Sequence, residues 1–321
     1  QWRTQYAHQP VWLVQFKRAG SPEAGGHQIG RSLRGAVDLS GLSLKAHQRR
    51  ESPEGVVEFV TDLQHERGFL LRHVVRARAA DPFFLVHVEF HNPTPEPVTL
   101  EYLPSFSLGG ITPFHAGEAP EQLYAHRMRS AWSAEGRHEA LSLEALALER
   151  PWIGVGRRTE RFGQVGSLPV RGFFPWVALE DRGVNVWWGA QLHAPGSWHL
   201  ELSRVKDRVT LSGGLPSRDF GEWWKTIAPG ASFSTPPAIL ATVRGDLDDL
   251  CHALTAAQVP AVEQQPAVER ELPMVFNEWC TSWGSPTQQN IEALAARLAD
   301  TPTRFLVIDD GWAAKPEGQG I

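Results

Sequence analysis

The chain has 321 residues, enough for two domains, with a formal net charge of -5 and 42% apolar residues. The acidic balance argues against nucleic acid as a partner, and no apolar run approaches the ~18 residues a membrane span needs. Two cysteines, Cys251 and Cys280, are too few for a disulfide framework or a zinc site, so a reducing cytoplasm is preferred over secretion. The first residues, Gln1-Trp2-Arg3-Thr4, carry neither an initiator Met nor a signal pattern. They imply a removed leader or a chain that begins inside a gene product. The aromatic set is skewed, with 13 Trp and 15 Phe against 3 Tyr. Trp stacks on sugar rings, but a large sandwich core uses the same residues and is expected to take most of them.

From Trp12 to about Ala241 the pattern is one of short strands separated by Gly/Pro turns. The predicted strands are 11–16, 56–63, 68–77, 83–90, 98–103, 209–211 and 239–243, with a turn at His91-Asn92-Pro93-Thr94-Pro95. Strands 184–191 and 198–204 read as a hairpin joined through Ala194-Pro195-Gly196, with Trp198, Leu200 and Leu202 on one face. Such spacing indicates antiparallel sheets packed as a sandwich, giving a mostly β fold class. His126-Arg127-Met128-Arg129 reads as a salt-bridged strand face in preference to an anion site. The run 218–225, with Phe220, Trp223 and Trp224, reads as an aromatic edge packing against the barrel in preference to a second sugar platform. His8, His65, His73, His87 and His91 lack metal-ligand spacing.

Residues 246–258 predict a short helix with Leu247, Leu250, Cys251 and Leu254 on one face. The Pro-, Glu- and Gln-bearing stretch 259–271 then reads as a linker, which divides the chain into a sandwich domain over 1–258 and a second domain over 272–321. Leu272 to Cys280 is an apolar strand ending in polar and aromatic residues. Ser285-Pro286-Thr287-Gln288 supplies a helix start, with Ser285 as N-cap and Gln288 completing a capping box. Ile291, Leu294, Ala295 and Leu298 form one apolar helical face, and Phe305 to Ile308 is a second strand, apolar on both faces. Asp309-Asp310-Gly311-Trp312 follows at its carboxyl end. Strand, helix and strand make a parallel βαβ unit, and in parallel sheets ligands bind beyond the carboxyl ends of the strands. A pair of acids with Trp at that rim suits a polar ligand; a capping and turn role for Asp309, Asp310 and Gly311 is the simpler alternative. Cys280 as a nucleophile is disfavoured, since no His partner is suggested nearby.

Asn277-Glu278-Trp279-Cys280 and Ile308-Asp309-Asp310-Gly311-Trp312 resemble the first two barrel strands of glycoside hydrolase family 36, the α-galactosidases and their α-N-acetylgalactosaminidase relatives. Phe162-Gly163-Gln164, the run 174–179, Gly196-Ser197-Trp198 and the run 229–236 are similar to landmarks of that family's amino-terminal β-supersandwich. The resemblance implies a β-supersandwich followed by the opening of a (β/α)8 (TIM) barrel. It implies that Asp309 and Asp310 bind the O4 and O6 hydroxyls of a terminal galactose, with Trp279 lining the subsite and Cys280 and Trp312 on the same rim. It implies no cofactor and no metal, and an α-galactoside oligosaccharide or glycoconjugate as the partner. The first motif departs from the common Asn-Ser-Trp-Glu-Ala form, with Glu278 for serine and Cys280 for glutamate, which marks a divergent branch.

A complete barrel needs roughly 250 residues and only about fifty follow Leu272, so two strands of eight are expected. A retaining glycosidase uses two carboxyl groups about 5 Å apart. By the resemblance the nucleophile and acid/base are aspartates on later strands, beyond Ile321, so no catalytic residue is assigned and the 321-residue chain alone is expected to be inactive. The uncovered βαβ unit is expected to expose a sheet face and edge. The tyrosine- and glycine-bearing loop of tetrameric members is absent from 45–55, so a homo-oligomer stays open. The readings are an α-galactosidase acting with retention, an α-N-acetylgalactosaminidase, or a non-catalytic sugar-binding or interaction module.

Overall fold

The computed structural model describes residues 14–17, 41–111, 119–152, 157–205 and 208–313. The chain forms two compact units, Gln1–Ala257 and Gln258–Ile321. Of the sequence readings, the run Gln1–Thr4, His8 and most of strand 11–16 lie outside the described residues.

The first unit is antiparallel β. Its largest sheet runs in the order Leu42–Glu51, Val56–His65, Leu70–Arg78, Phe84–His91, Ala238–Arg244, Val186–Leu192, Gly172–Asp181, Leu123–Ser130, Arg137–Ser142, with Ser232–Ser234 also paired to Phe84–His91. A four-stranded sheet, Arg157–Gln164, Trp198–Val205, Arg208–Gly214 and Pro104–Ile111, faces one half of it. A three-stranded sheet, Gln15–Lys17, Val98–Tyr102 and Lys225–Ile227, faces the other half.

Side-chain alternation explains the layering. Along Gly172–Asp181, Val177 and Leu179 point into the core shared with the four-stranded sheet, where they meet Trp198, Leu200, Leu202 and Leu211. Trp176 and Ala178 point to the opposite face and pack with Leu250 and Leu254 of the helix Leu247–Thr255. That helix sits close to the sheet because Gly189 lies beneath it: a Cβ there would stand 2.7 Å from a Leu250 methyl. A capping box between Asp246 and Asp249 starts the helix. The second core joins Phe16, Val98, Leu100 and Ile227 to Leu71, Val88 and Phe90.

The 184–191 and 198–204 pair is not a hairpin. Val186–Leu192 pairs with Gly172–Asp181 and Ala238–Arg244 in the large sheet, whereas Trp198–Val205 pairs with Arg157–Gln164 and Arg208–Gly214 in the small one. The turn at Ala194-Pro195-Gly196 therefore carries the chain from one layer to the other. In Trp198–Val205, His199, Glu201 and Ser203 are buried along with Trp198, Leu200 and Leu202, as suits a strand in the interior of the small sheet with a paired neighbour on either side.

The polar cluster at 126–129 is a salt-bridged strand face, as its composition suggested. Arg127 is buried and joins Glu139 at 2.7 Å within the large sheet and Glu160 at 2.8 Å on the four-stranded sheet. Its guanidinium stands 5.2 Å from both the Phe162 and Phe173 ring centres, so charge and stacking are satisfied together. Trp223 of the 218–225 run packs into the second core beside Phe233.

In the second unit, Met274–Asn277 and Thr303–Val307 form a parallel pair, connected through a short helix Trp279–Ser282 and the helix Gln288–Leu298. This is the predicted βαβ unit. Two details differ from the sequence reading. The stretch read as a linker carries two short helices, Val259–Glu263 and Ala267–Arg270. The N-cap is Thr287 and not Ser285: after Trp283 and Gly284, both with positive φ, Thr287 has the extended backbone a cap requires, and its hydroxyl accepts the Asn290 N–H at 3.2 Å. The apolar residues of the strand pair lie open, with Val275 53% and Phe305 46% exposed, as an uncovered βαβ unit predicts. Among the described residues no helix is long and apolar enough to cross a membrane.

Candidate functional site

Parallel pairing brings the carboxyl ends of both strands of the second unit to one rim. At that rim the first strand's Asn277 reaches across to the second strand's Asp309, donating from Nδ2 to Oδ2 at 2.7 Å. Asn277 is itself held, because its Oδ1 accepts the Trp279 N–H at 2.9 Å. The predicted pair Asp309–Asp310 is thus fixed by a residue of the first motif.

The acids also order their own loop. Asp309 Oδ1 accepts the Asp310 N–H at 2.7 Å, and Asp310 Oδ1 accepts the Gly311 N–H at 2.8 Å. The capping role weighed as an alternative is therefore present. It does not exhaust the groups: each carboxylate oxygen has about two acceptor positions, and Asp310 Oδ2 makes no hydrogen bond among the described residues. Asn277, then the Asp310 amide, hold the Asp309 carboxyl below the usual carboxylate range. Asp309 is accordingly an anionic acceptor at neutral pH, suited to hydroxyl donors. Gly311 turns here with a φ of 91°, and a Cβ at this position would overlap the Gly284 carbonyl, so the turn requires glycine.

The aromatic part is uneven. Trp279 is half-buried and meets Trp283 edge-on, with ring centres 6.1 Å apart. Trp283 is 70% exposed and was not singled out from the sequence. Trp312 and Cys280 are exposed on the rim, and among the described residues neither makes a ring contact or hydrogen bond with the acids. Asn277 was legible only as part of the motif; its role as the tie between the strands follows from register, where Asn277 stands opposite Val307. Among the described residues no group of three His, Cys, Asp or Glu side chains is placed to hold a metal.

No family model matches the chain. A curated relative, the probable α-galactosidase G of Emericella nidulans, is 23% identical over 184 residues, 53% of this chain and 24% of the relative. Among solved structures, the α-galactosidase of Lactobacillus brevis aligns with a TM-score of 0.70 and 15% identity, over 95% of this chain and 38% of its own. The GH36 α-galactosidase AgaB of Geobacillus stearothermophilus gives 0.69 and 17%, over 96% and 40%. AgaA of the same organism, in complex with raffinose, gives 0.69 and 16%, over 98% and 41%. The chain spans less than half the length of these structures and about a quarter of the curated relative. At these identities the likeness is one of architecture: over its described length the chain has the fold of the amino-terminal β-sandwich region, with the first barrel strands, of the family 36 α-galactosidases.

Proposed function

We propose that this chain is the sandwich and the opening of the catalytic barrel of a family 36 α-galactosidase, and that the full-length protein hydrolyses terminal α-linked galactosides with retention of configuration. The observation that carries the reading is the Asp309–Asp310 pair at a parallel-strand end, tied to Asn277 at 2.7 Å beside Trp279. In this reading Asp309 and Asp310 accept hydrogen bonds from the O4 and O6 hydroxyls of the terminal galactose, and Trp279 offers its face to the sugar ring. The solved relative bound to raffinose, an α-galactoside oligosaccharide, supports that substrate class. Cys280 and Trp312 are placed on the outer rim, toward the remainder of the substrate. Both described cysteines are free thiols, which accords with a cytoplasmic setting.

The carboxylates present do not form a double-displacement pair in this reading. Asp309 is committed to Asn277 and to the next amide, and Glu278 is buried. The nucleophile and the acid/base are assigned to later strands of the full-length protein. The 321-residue chain alone therefore behaves as a galactose-binding module without turnover.

The test is release of p-nitrophenol from the α-galactoside and the α-N-acetylgalactosaminide, by the full-length protein and by this chain. Turnover of the galactoside by the full-length protein alone is the expected result. A preference for the N-acetylgalactosaminide would move the assignment to that activity, and turnover by this chain would overturn the placement of the catalytic pair.

A further inference from the structure

Among the described residues of the second unit, Glu278 is the one that is fully buried, at 0% exposure. That is an unexpected choice for a unit whose apolar residues lie open. A buried carboxylate costs free energy unless hydrogen bonds replace its water, whereas Val275 and Phe305, 53% and 46% exposed, would gain by the same burial. Hydrophobic packing does not account for Glu278.

Its contacts do. Glu278 Oε1 accepts the main-chain N–H of Asp309 at 3.1 Å. Its own N–H donates to the Val307 carbonyl at 3.2 Å, and its carbonyl accepts the Thr281 hydroxyl at 2.6 Å. Glu278 is thus tied to both sides of the rim. Asn277 grips Asp309 by its carboxylate while Glu278 grips it by its amide. Two adjacent residues of one strand end therefore fix both the backbone and the side chain of one acid on the other. The second oxygen, Oε2, is buried and has no hydrogen-bond partner. An unfilled buried acceptor is an expense tolerated where a group is held for geometry.

We infer that Glu278 is a positioning residue, which fixes the Asp309 main chain so that Asp309 and Asp310 present their carboxylates to the sugar hydroxyls in one geometry. This rests on the galactose-binding reading of the same rim. A carboxylate reaching from the neighbouring strand restrains the peptide between Ile308 and Asp309, and the Asp310 position follows from it through the Asp309 Oδ1 contact to the Asp310 amide. Where the resembling motif has serine, this chain has a longer side chain with two acceptor oxygens, one used and one unfilled.

The test uses the full-length protein with E278M, E278Q, D309N and the E278M–D309N double variant. Methionine fills a similar volume without an acceptor, while the glutamine amide oxygen still accepts the Asp309 N–H. Two readouts are taken: KM and kcat for p-nitrophenyl α-galactoside, and hydrogen exchange of the peptide that contains the Asp309 amide. E278M is expected to raise KM about tenfold with a smaller change in kcat, and E278Q to recover most of the loss. The double variant is expected to be no weaker than D309N alone, because Glu278 acts through Asp309. Exchange at Asp309 is expected to quicken in E278M and to return toward the parent rate in E278Q. Losses that multiply in the double variant, or equal exchange in all variants, would overturn the inference. If the parent protein turns over no α-galactoside, the functional reading fails, and the exchange comparison alone still decides whether Glu278 holds Asp309.

Discussion

The two units place opposite kinds of side chain inside. The sandwich buries Trp198, Phe69, Phe90 and Leu200 to 0% exposure, and its buried Arg127 is paired with Glu139 and Glu160. The βαβ unit leaves Phe305, Val275 and Trp283 open and buries Glu278. One region spends its burial on apolar area, which stabilises by about 25 cal/mol per Å². The other spends it on orienting an acid. The difference teaches that apolar burial and the ordering of the paired acids fall to separate parts of the chain, so perturbations of each should leave the other's readout unchanged.

Acid is expected to separate the two most strongly. His73, His126 and His199 are all in the sandwich, are buried, and have their pKa pushed down from 6.5 to about 4, in each case chiefly by burial; for His126 the Glu180 carboxylate opposes the trend. The described part of the second unit contains no histidine. A histidine whose folded pKa is depressed contributes stability that is fully present above 6.5 and is lost as pH falls toward about 4, because the unfolded chain binds the proton first. The gap corresponds to roughly 3 kcal/mol for each at the acid end. Thermal melts of the sandwich at neutral pH and near pH 4 should differ by well over ten degrees, and His126→Gln should flatten the dependence. A sandwich melting temperature independent of pH over that window would refute the neutral, buried assignment.

Trp198→Ala is the next largest effect. It removes the largest fully buried side chain and the indole hydrogen bond to the Pro169 carbonyl at 2.6 Å. A loss of about 4 kcal/mol in urea denaturation is expected. The counterpart on the rim is Asp310→Ala in the full-length protein. It should lower kcat/KM for the α-galactoside about a hundredfold, by removing charge-assisted hydrogen bonds to the sugar, with little change in melting temperature because Asp310 is exposed. A large stability loss with unchanged kinetics would reduce Asp310 to a turn former.

Much of this contrast was legible in the sequence, for physical reasons that differ by region. Strands 56–63, 68–77 and 83–90 are short runs rich in apolar residues bounded by turns, and they appear as Val56–His65, Leu70–Arg78 and Phe84–His91. Leu42–Glu51 and Arg157–Gln164 are mostly polar and were not read as strands from the sequence. They are strands because partners complete their ladders, with ion pairs such as Arg161–Glu201 at 2.8 Å between Arg157–Gln164 and Trp198–Val205. The layer change at Ala194-Pro195-Gly196 was misread because a tight turn signals reversal but not which sheet receives the next strand. At the rim, Asp309, Asp310 and Trp279 stood out by type and position. Asn277 and Glu278 were legible only as motif positions, since each makes a contact, across 32 and 31 positions respectively, that only register reveals.

The smallest predicted effect bears on the same contrast through two helix caps. Asp246 caps Leu247–Thr255 by accepting the Asp249 N–H at 3.0 Å, and Thr287 caps Gln288–Leu298 by accepting the Asn290 N–H at 3.2 Å. Either cap is worth about 1 kcal/mol to its helix. The first helix has Leu250 and Leu254 packed at 0% exposure, so it unfolds with the sandwich. Asp246→Ala should therefore lower the sandwich's denaturation free energy by the whole amount. The second helix has no buried residue, so its first turn opens locally. Thr287→Ala should quicken amide exchange in residues 288–291 while the sandwich transition stays in place, and Ser285→Ala should change neither. An effect of Ser285→Ala equal to that of Thr287→Ala would return the cap to the position the sequence first suggested. A shift of the sandwich transition by Thr287→Ala would show that the two units share one unfolding event, and the division of labour between them would then be a matter of chemistry alone.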